Sequence, residues 1–288
     1  MSLPESWVRA LEQPVLSVKS PYTLRLNLAR LLRTESRAEA AVISGLRSDL
    51  PATAFLCGYQ TAMRFIDPAL SPEQWGAFCI SEKGLTSLRD MQSTFSGVEL
   101  NGVKSHAMLM DNGIDWLYVV AKDPDGLACR RISATAKGVA VLPSAGSQPF
   151  IPELPHNAVR FTRALTDTSY YRGQAHEALN KPFRYHEDML GLLALSGWMM
   201  RAIKICQASE SLAELADAVQ SLAQNYDADA TSYSIASIDQ FDRLFGLLQA
   251  QVSALTEESS DIWRRDSALM LMGKKARDAI RAKTTANN

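Results

Sequence analysis

Between Phe78 and Lys122 the chain carries a block of strand-forming sequence inside an otherwise helical one. A chain built this way must fold as a sheet flanked by helices. Phe78-Cys79-Ile80-Ser81 is a short β-prone run that stops at Glu82-Lys83-Gly84. Val98-Glu99-Leu100 leads into Asn101-Gly102, a strong two-residue hairpin signal, and Val103 to Met110 reads as the returning strand. Asp111-Asn112-Gly113 reads as the next turn, before the apolar run Trp116 to Val120. Asp123-Pro124-Asp125-Gly126 closes another hairpin. Strand-like pieces follow at Ala128 to Ile132, Val139 to Leu142 and Asn157 to Phe161. The expectation is an antiparallel meander filling residues 76–165.

On either side the apolar period is helical. Pro4 opens Glu5 to Leu11, Pro21 precedes a leucine-rich stretch from Leu24 to Leu32, and Ser36 to Leu46 and Pro51 to Ile66 complete an N-terminal helical region, residues 1–75. Ala54, Gly58 and Ala62 fall at i, i+4 and i+8, which permits close helix packing. From residue 166 onward four helices are expected: Tyr185 to Cys206, Leu212 to Leu222, Ile235 to Leu255 and Ser260 to Ala282. Short loops between them predict an antiparallel four-helix bundle, residues 166–288. Lys274, Lys275, Arg277, Arg281 and Lys283 read as a solvated helix end.

Composition narrows the chemistry. With 30 basic and 31 acidic residues, the net charge of −1 gives no bulk attraction for nucleic acid or a membrane surface. No stretch is apolar enough for a transmembrane helix, and the start MSLPESWVRALEQ does not have a signal peptide's pattern, so a cytoplasmic protein is expected. Cys57, Cys79, Cys129 and Cys206 form no CxxC pair, which argues for buried thiols rather than a metal site. P-loop, GxGxxG, HExxH and GxSxG patterns are absent.

The order Ser-Glu, a glycine-bearing loop, Leu-Asn-Gly-x-Lys-Ser and Asp-Trp-Leu-x-Val-Val-Ala resembles the middle β-domain of the acyl-CoA dehydrogenase family. The resemblance implies an α+β, mainly α fold: a helical domain, an antiparallel β-barrel-like domain and a four-helix bundle. It implies FAD as cofactor and α,β-dehydrogenation of an acyl thioester carried on CoA or an acyl-carrier protein. It also implies a homo-oligomer and an electron acceptor that the sequence does not identify. Ser81 matches the hydroxyl residue that bonds the flavin ring. Lys104, His106 and Met108 match the cofactor-lining strand, with His106 and Met108 standing where the family has an aromatic residue and a threonine. Ser87 falls near the position that meets acyl-CoA, although Lys83-Gly84-Leu85-Thr86-Ser87-Leu88 replaces the family's Pro-Gly-x-Gly-Ser-Asp.

Glu187 is the candidate base, ten residues before Gly197 as in family members that carry the carboxylate on the first long bundle helix; Asp188 replaces the usual arginine. Each residue also has a structural reading: Glu187 as a first-turn charge suited to the helix dipole, Ser81 as a strand-end serine, Arg184 as a surface cation rather than a phosphate or flavin contact. Two alternatives to the dehydrogenase follow. One is a flavin-free member that binds an acyl thioester or a protein. The other is a flavin-dependent monooxygenase, which would not need Glu187.

Overall fold

The computed structural model describes residues 3–108, 113–143, 148–206, 209–228 and 231–286. The expected turn at Asp111-Asn112 and the end of its strand at Leu109-Met110 lie outside them. The chain divides into two compact units. Residues 1–62, 149–151 and 184–288 form one, and residues 63–148 and 152–183 form the other.

The first unit is helical. Its N-terminal part holds α1 (Glu5–Glu12), α2 (Pro21–Thr34), α3 (Arg37–Leu46) and most of α4 (Pro51–Ile66). Ser36 caps α3 by accepting from the Glu39 N–H. Its C-terminal part holds α5 (Lys181–Ile205) from Arg184 onward, α6 (Ser209–Ala228), α7 (Ile235–Ala250), α8 (Glu257–Asp266) and α9 (Lys274–Ala286). Ser234 and Ser237 form a reciprocal capping box on α7.

α5 is the axis of this unit and packs at backbone distance. A methyl group on Gly58 would sit 2.6 Å from the Leu190 carbonyl oxygen, and one on Gly197 would sit 2.7 Å from the Leu46 nitrogen. One on Gly45 would overlap the Ala194 carbonyl. The stripe Ala54, Gly58, Ala62 is fully buried at its two alanines, and its glycine is the point where α4 meets α5. Trp198 and Trp263 stack with centroids 6.0 Å apart.

Two expectations for this region are corrected. α5 begins at Lys181, about a turn before Tyr185, because Pro182 fits a helix's first turn. Glu187 and Asp188 therefore stand in the second turn, where the dipole gives little. The last expected helix is two, α8 and α9, joined through a 3₁₀ turn, Ser267–Leu271, and Gly273. Lys274 to Arg277 consequently open α9 instead of ending a helix.

The second unit is a sheet of eight strands among the described residues: β1 (Gly76–Cys79), β2 (Thr94–Ser96), β3 (Glu99–Met108), β4 (Trp116–Asp123), β5 (Gly126–Ser133), β6 (Val139–Val141), β7 (His156–Leu165) and β8 (Asp167–Arg172). The path is β6-β7-β3-β2-β4-β5-β8, with β1 paired to β4. Pro124-Asp125 turns β4 into β5, as the sequence predicts.

Three details differ from expectation. β1 pairs with β4 in parallel, and β2 meets β4 in parallel at Thr94 and Lys122. The sheet continues through β8 to Arg172, beyond residue 165. The hairpin turn is at Gly97-Val98, where Gly97 takes φ +57°, while Asn101-Gly102 lies within β3. Gly102 is needed there because a side chain would meet Ser93, 2.6 Å from its Cβ, and because the β3–β7 register shifts between Leu100 and Gly102.

Candidate active site

On the sheet unit the expected cofactor-facing residues separate into two groups. Ser81 follows β1 and is exposed; its carbonyl accepts from the Ser105 N–H at 2.9 Å, which ties the strand end to β3. His106 is exposed on β3, with its Nδ1 2.8 Å from the Ser105 hydroxyl. Ser87 is exposed and caps a short 3₁₀ turn, Leu88–Asp90, by accepting from the Arg89 N–H.

Lys104 and Met108 turn inward. Lys104 is fully buried, and its ammonium donates to Glu82 Oε1 at 2.8 Å and to the Ile80 carbonyl at 3.3 Å. Met108 is 4% exposed. Strict alternation would put Lys104 and His106 on one face. A register irregularity between Lys104 and Ala107 breaks that alternation, so His106 faces out while Lys104, Ala107 and Met108 are buried.

Glu82 fastens the loop between β1 and β2. Besides Lys104 it accepts from the backbone N–H groups of Gln92 at 2.6 Å and Ser93 at 3.0 Å. Burial acts to raise its carboxyl, but the hydrogen bonds from Lys104, Ser93 and Gln92 outweigh burial and hold it down at about 2. The loop from Lys83 to Met91 is thus tied across its base by Glu82.

On the helical unit, α5 carries a denser constellation. Arg184 Nη1 reaches Glu187 Oε2 at 3.1 Å, and its Nη2 reaches Asp188 Oδ1 at 3.0 Å. The other Asp188 oxygen accepts from Tyr233, which precedes α7, and from Arg277 on α9. Arg277 is itself buried, donates to the Met270 carbonyl at 2.8 Å and lies 4.0 Å above the Phe241 ring. Gly273 makes room for this pair, because a methyl group there would stand 2.6 Å from the Arg277 guanidinium.

The two adjacent carboxylates are in different situations. Asp188 is 2% exposed and engaged by two guanidiniums and a phenol. Glu187 is 19% exposed at its side chain and has Arg184 alone as its ionic partner among the described residues. Burial raises the Glu187 carboxyl, Arg184 lowers it and Asp188 raises it again, with a net rise. His186, on the other side of α5, is buried against the Tyr226 hydroxyl at 2.7 Å; burial and the charge of Arg37 hold it down at about 4, so it is neutral near pH 7.

The structure therefore joins Arg184 and Glu187, and adds Asp188, Tyr233 and Arg277, which the sequence reading did not assign to the site. Gly273 is the signal that would have exposed Arg277, since a glycine between two amphipathic stretches marks a helix break and puts the basic run at a helix start.

No protein-family model matches the sequence, and no curated protein does. Solved structures do match the fold. An FAD-dependent dehydrogenase aligns over 99% of this chain and 99% of its own, with TM-score 0.69 at 14% identity. Butyryl-CoA dehydrogenase from Megasphaera elsdenii aligns over 99% of both chains, with TM-score 0.70 at 10% identity. PigA with FAD and proline aligns over 99% of this chain and 93% of its own, with TM-score 0.70 at 13% identity.

Proposed function

We propose, from the premise that the chain has the acyl-CoA dehydrogenase fold, that it is a flavin-dependent oxidoreductase that removes hydrogen from the α and β carbons of an acyl thioester. Glu187 is the base in this reading. The observation that carries it is the contrast between two neighbouring carboxylates, one saturated by donors and the other left with a single cation.

A base for an α-proton must be ionised at rest and basic enough to accept a proton near neutral pH. Burial makes Glu187 more basic, while Arg184 keeps its ionised form accessible. Asp188 cannot take that role without giving up three donors. Two neighbouring carboxylates held by different sets of partners are how one helix supplies both a base and a fixed counter-ion.

FAD, when bound, supplies the acceptor for the hydride that leaves the β-carbon. The structures similar in fold include an FAD-dependent dehydrogenase and PigA with FAD and proline. The residues here fit that cofactor in part. Ser81 and His106 are exposed and can contribute a hydroxyl donor and a ring face. Lys104 and Met108 do not fit as direct contacts, because both are buried; Lys104 serves by fixing the loop that leads away from Ser81. Ser87 and Arg184 remain candidates for the thioester carrier's polar groups, with Arg184 already shared between two carboxylates.

The test is anaerobic bleaching of the FAD-loaded protein by a panel of acyl-CoA and acyl-carrier thioesters. Glu187→Gln should retain flavin and lose bleaching rate by about 10²–10⁴-fold, the usual share of a general base. Unchanged bleaching in that variant would remove Glu187 from the mechanism. Flavin retained, with no bleaching by any thioester but rapid reaction of the reduced form with oxygen, would favour the monooxygenase.

A further inference from the structure

We infer that Asp188 sets the basicity of Glu187: anchored by Arg277 and Tyr233, it stands beside Glu187 and competes with it for the Arg184 guanidinium. The inference deepens the reading of Glu187 as base and rests on it only for its catalytic meaning.

The geometry runs in one direction. Arg184 has two carboxylate partners, one through each terminal nitrogen, at 3.1 and 3.0 Å. Glu187 brings no further cation of its own among the described residues. Asp188 is the fixed member of the pair, because its second oxygen is gripped from two other elements, by Tyr233 ahead of α7 and by Arg277 at the start of α9. Arg277 is in turn fixed by the Met270 carbonyl and the Phe241 ring, with Asp242 of α7 at 3.9 Å from its Nε. The groups that bear on Glu187 are thus Arg184 and Asp188 directly, and Tyr233, Arg277 and Asp242 through Asp188 and Arg277.

A shared guanidinium means that Asp188 keeps Glu187 more basic than a private pair would. Its negative charge repels that of Glu187, and its hold on Arg184 withdraws half of the compensating hydrogen bonding. Loss of Asp188 should make Glu187 more acidic, and loss of Arg184 should make it less so. These opposite signs are what a purely structural role of the cluster does not produce.

The experiment follows the Glu187 carboxyl directly, by carbon-13 NMR titration of the full chain labelled at glutamate side-chain carboxyls, with the signal assigned by its disappearance in Glu187→Gln. Asp188→Asn should lower the Glu187 midpoint by about one pH unit. Asp188→Asn leaves Arg277 buried with a weakened partner, so the double variant Asp188→Asn with Arg277→Met, which strands no buried cation, is titrated beside it and should move the same way. Arg184→Gln should raise the midpoint. A Glu187 midpoint that stays at its parental value in the Asp188 variants, or rises in them, would overturn the inference. Because the readout needs neither flavin nor substrate, the two readings fail separately. Opposite shifts with normal bleaching in Glu187→Gln would uphold the inference and sink the base. Unmoved midpoints with a dead Glu187→Gln would do the reverse.

Discussion

At the scale of single residues, two buried cations organise the two units. Lys104 has no exposed surface, and its ammonium is matched by Glu82. A buried pair broken on one side leaves a charge without compensation, which costs roughly 3–5 kcal/mol, so Lys104→Met should destabilise the protein by about 3 kcal/mol in chemical denaturation. The pH dependence has a definite sign. Glu82 is held at about 2, below its ordinary value of 4.5, so its contribution is complete above pH 4.5 and is lost as pH falls toward 2. Removing Lys104 takes away its largest favourable partner and should move the acid-unfolding midpoint, followed by tryptophan fluorescence, to higher pH. An acid midpoint identical to the parent's would mean that the backbone donors of Gln92 and Ser93 alone hold the loop. The lysine was legible in the sequence as part of the Leu-Asn-Gly-x-Lys motif. Its inward direction was not, because a lysine in a strand ordinarily faces solvent and its partner Glu82 lies on a separate loop. Arg277 was hidden for a different reason: a basic run looks the same at either end of a helix until the break at Gly273 is recognised.

At the scale of elements, α5 is defined by what it lacks. Gly45 of α3, Gly58 of α4 and Gly197 of α5 stand where helices approach at backbone distance. The atoms met there are carbonyl oxygens, carbonyl carbons and amide nitrogens, which cannot rotate aside as a side chain would. Gly45→Ala and Gly197→Ala should each destabilise by about 3 kcal/mol, the upper part of the overpacking range, measured as a lowered urea midpoint. A change below 1 kcal/mol would show that α3 can slide on α5. Part of this was readable in advance, since Ala54, Gly58 and Ala62 at helical spacing announce a smooth face. The opposing glycines are distant in sequence, and only the fold brings them together. The same limit misplaced the β hairpin. Asn101-Gly102 carries the local turn signal, but the tertiary demand for a glycine opposite Ser93 is what fixes Gly102, and the turn went to Gly97-Val98.

At the scale of the whole molecule, the order of helices, strands and helices was legible because hydrophobic period changes twice along the chain, near residues 75 and 170. That order and the short motifs around Ser81 and Lys104 led to the right fold. No described helix is long and apolar enough to cross a membrane. The candidate site was legible only in Glu187 and Arg184, whose helical spacing brings them together; Asp188 stands beside them on α5, but its partners Tyr233 and Arg277 come from elements far apart in sequence. The central claim is that this fold still works with flavin. The measurement that tests it most directly is the visible absorption spectrum of the purified protein after incubation with excess FAD and removal of the free cofactor. Flavin bands amounting to about one FAD per chain are predicted, with Ser81→Ala lowering retention. A colourless protein that takes up no FAD would contradict the account, and would recast Ser81, His106 and Glu187 as structural residues of a scaffold without redox chemistry.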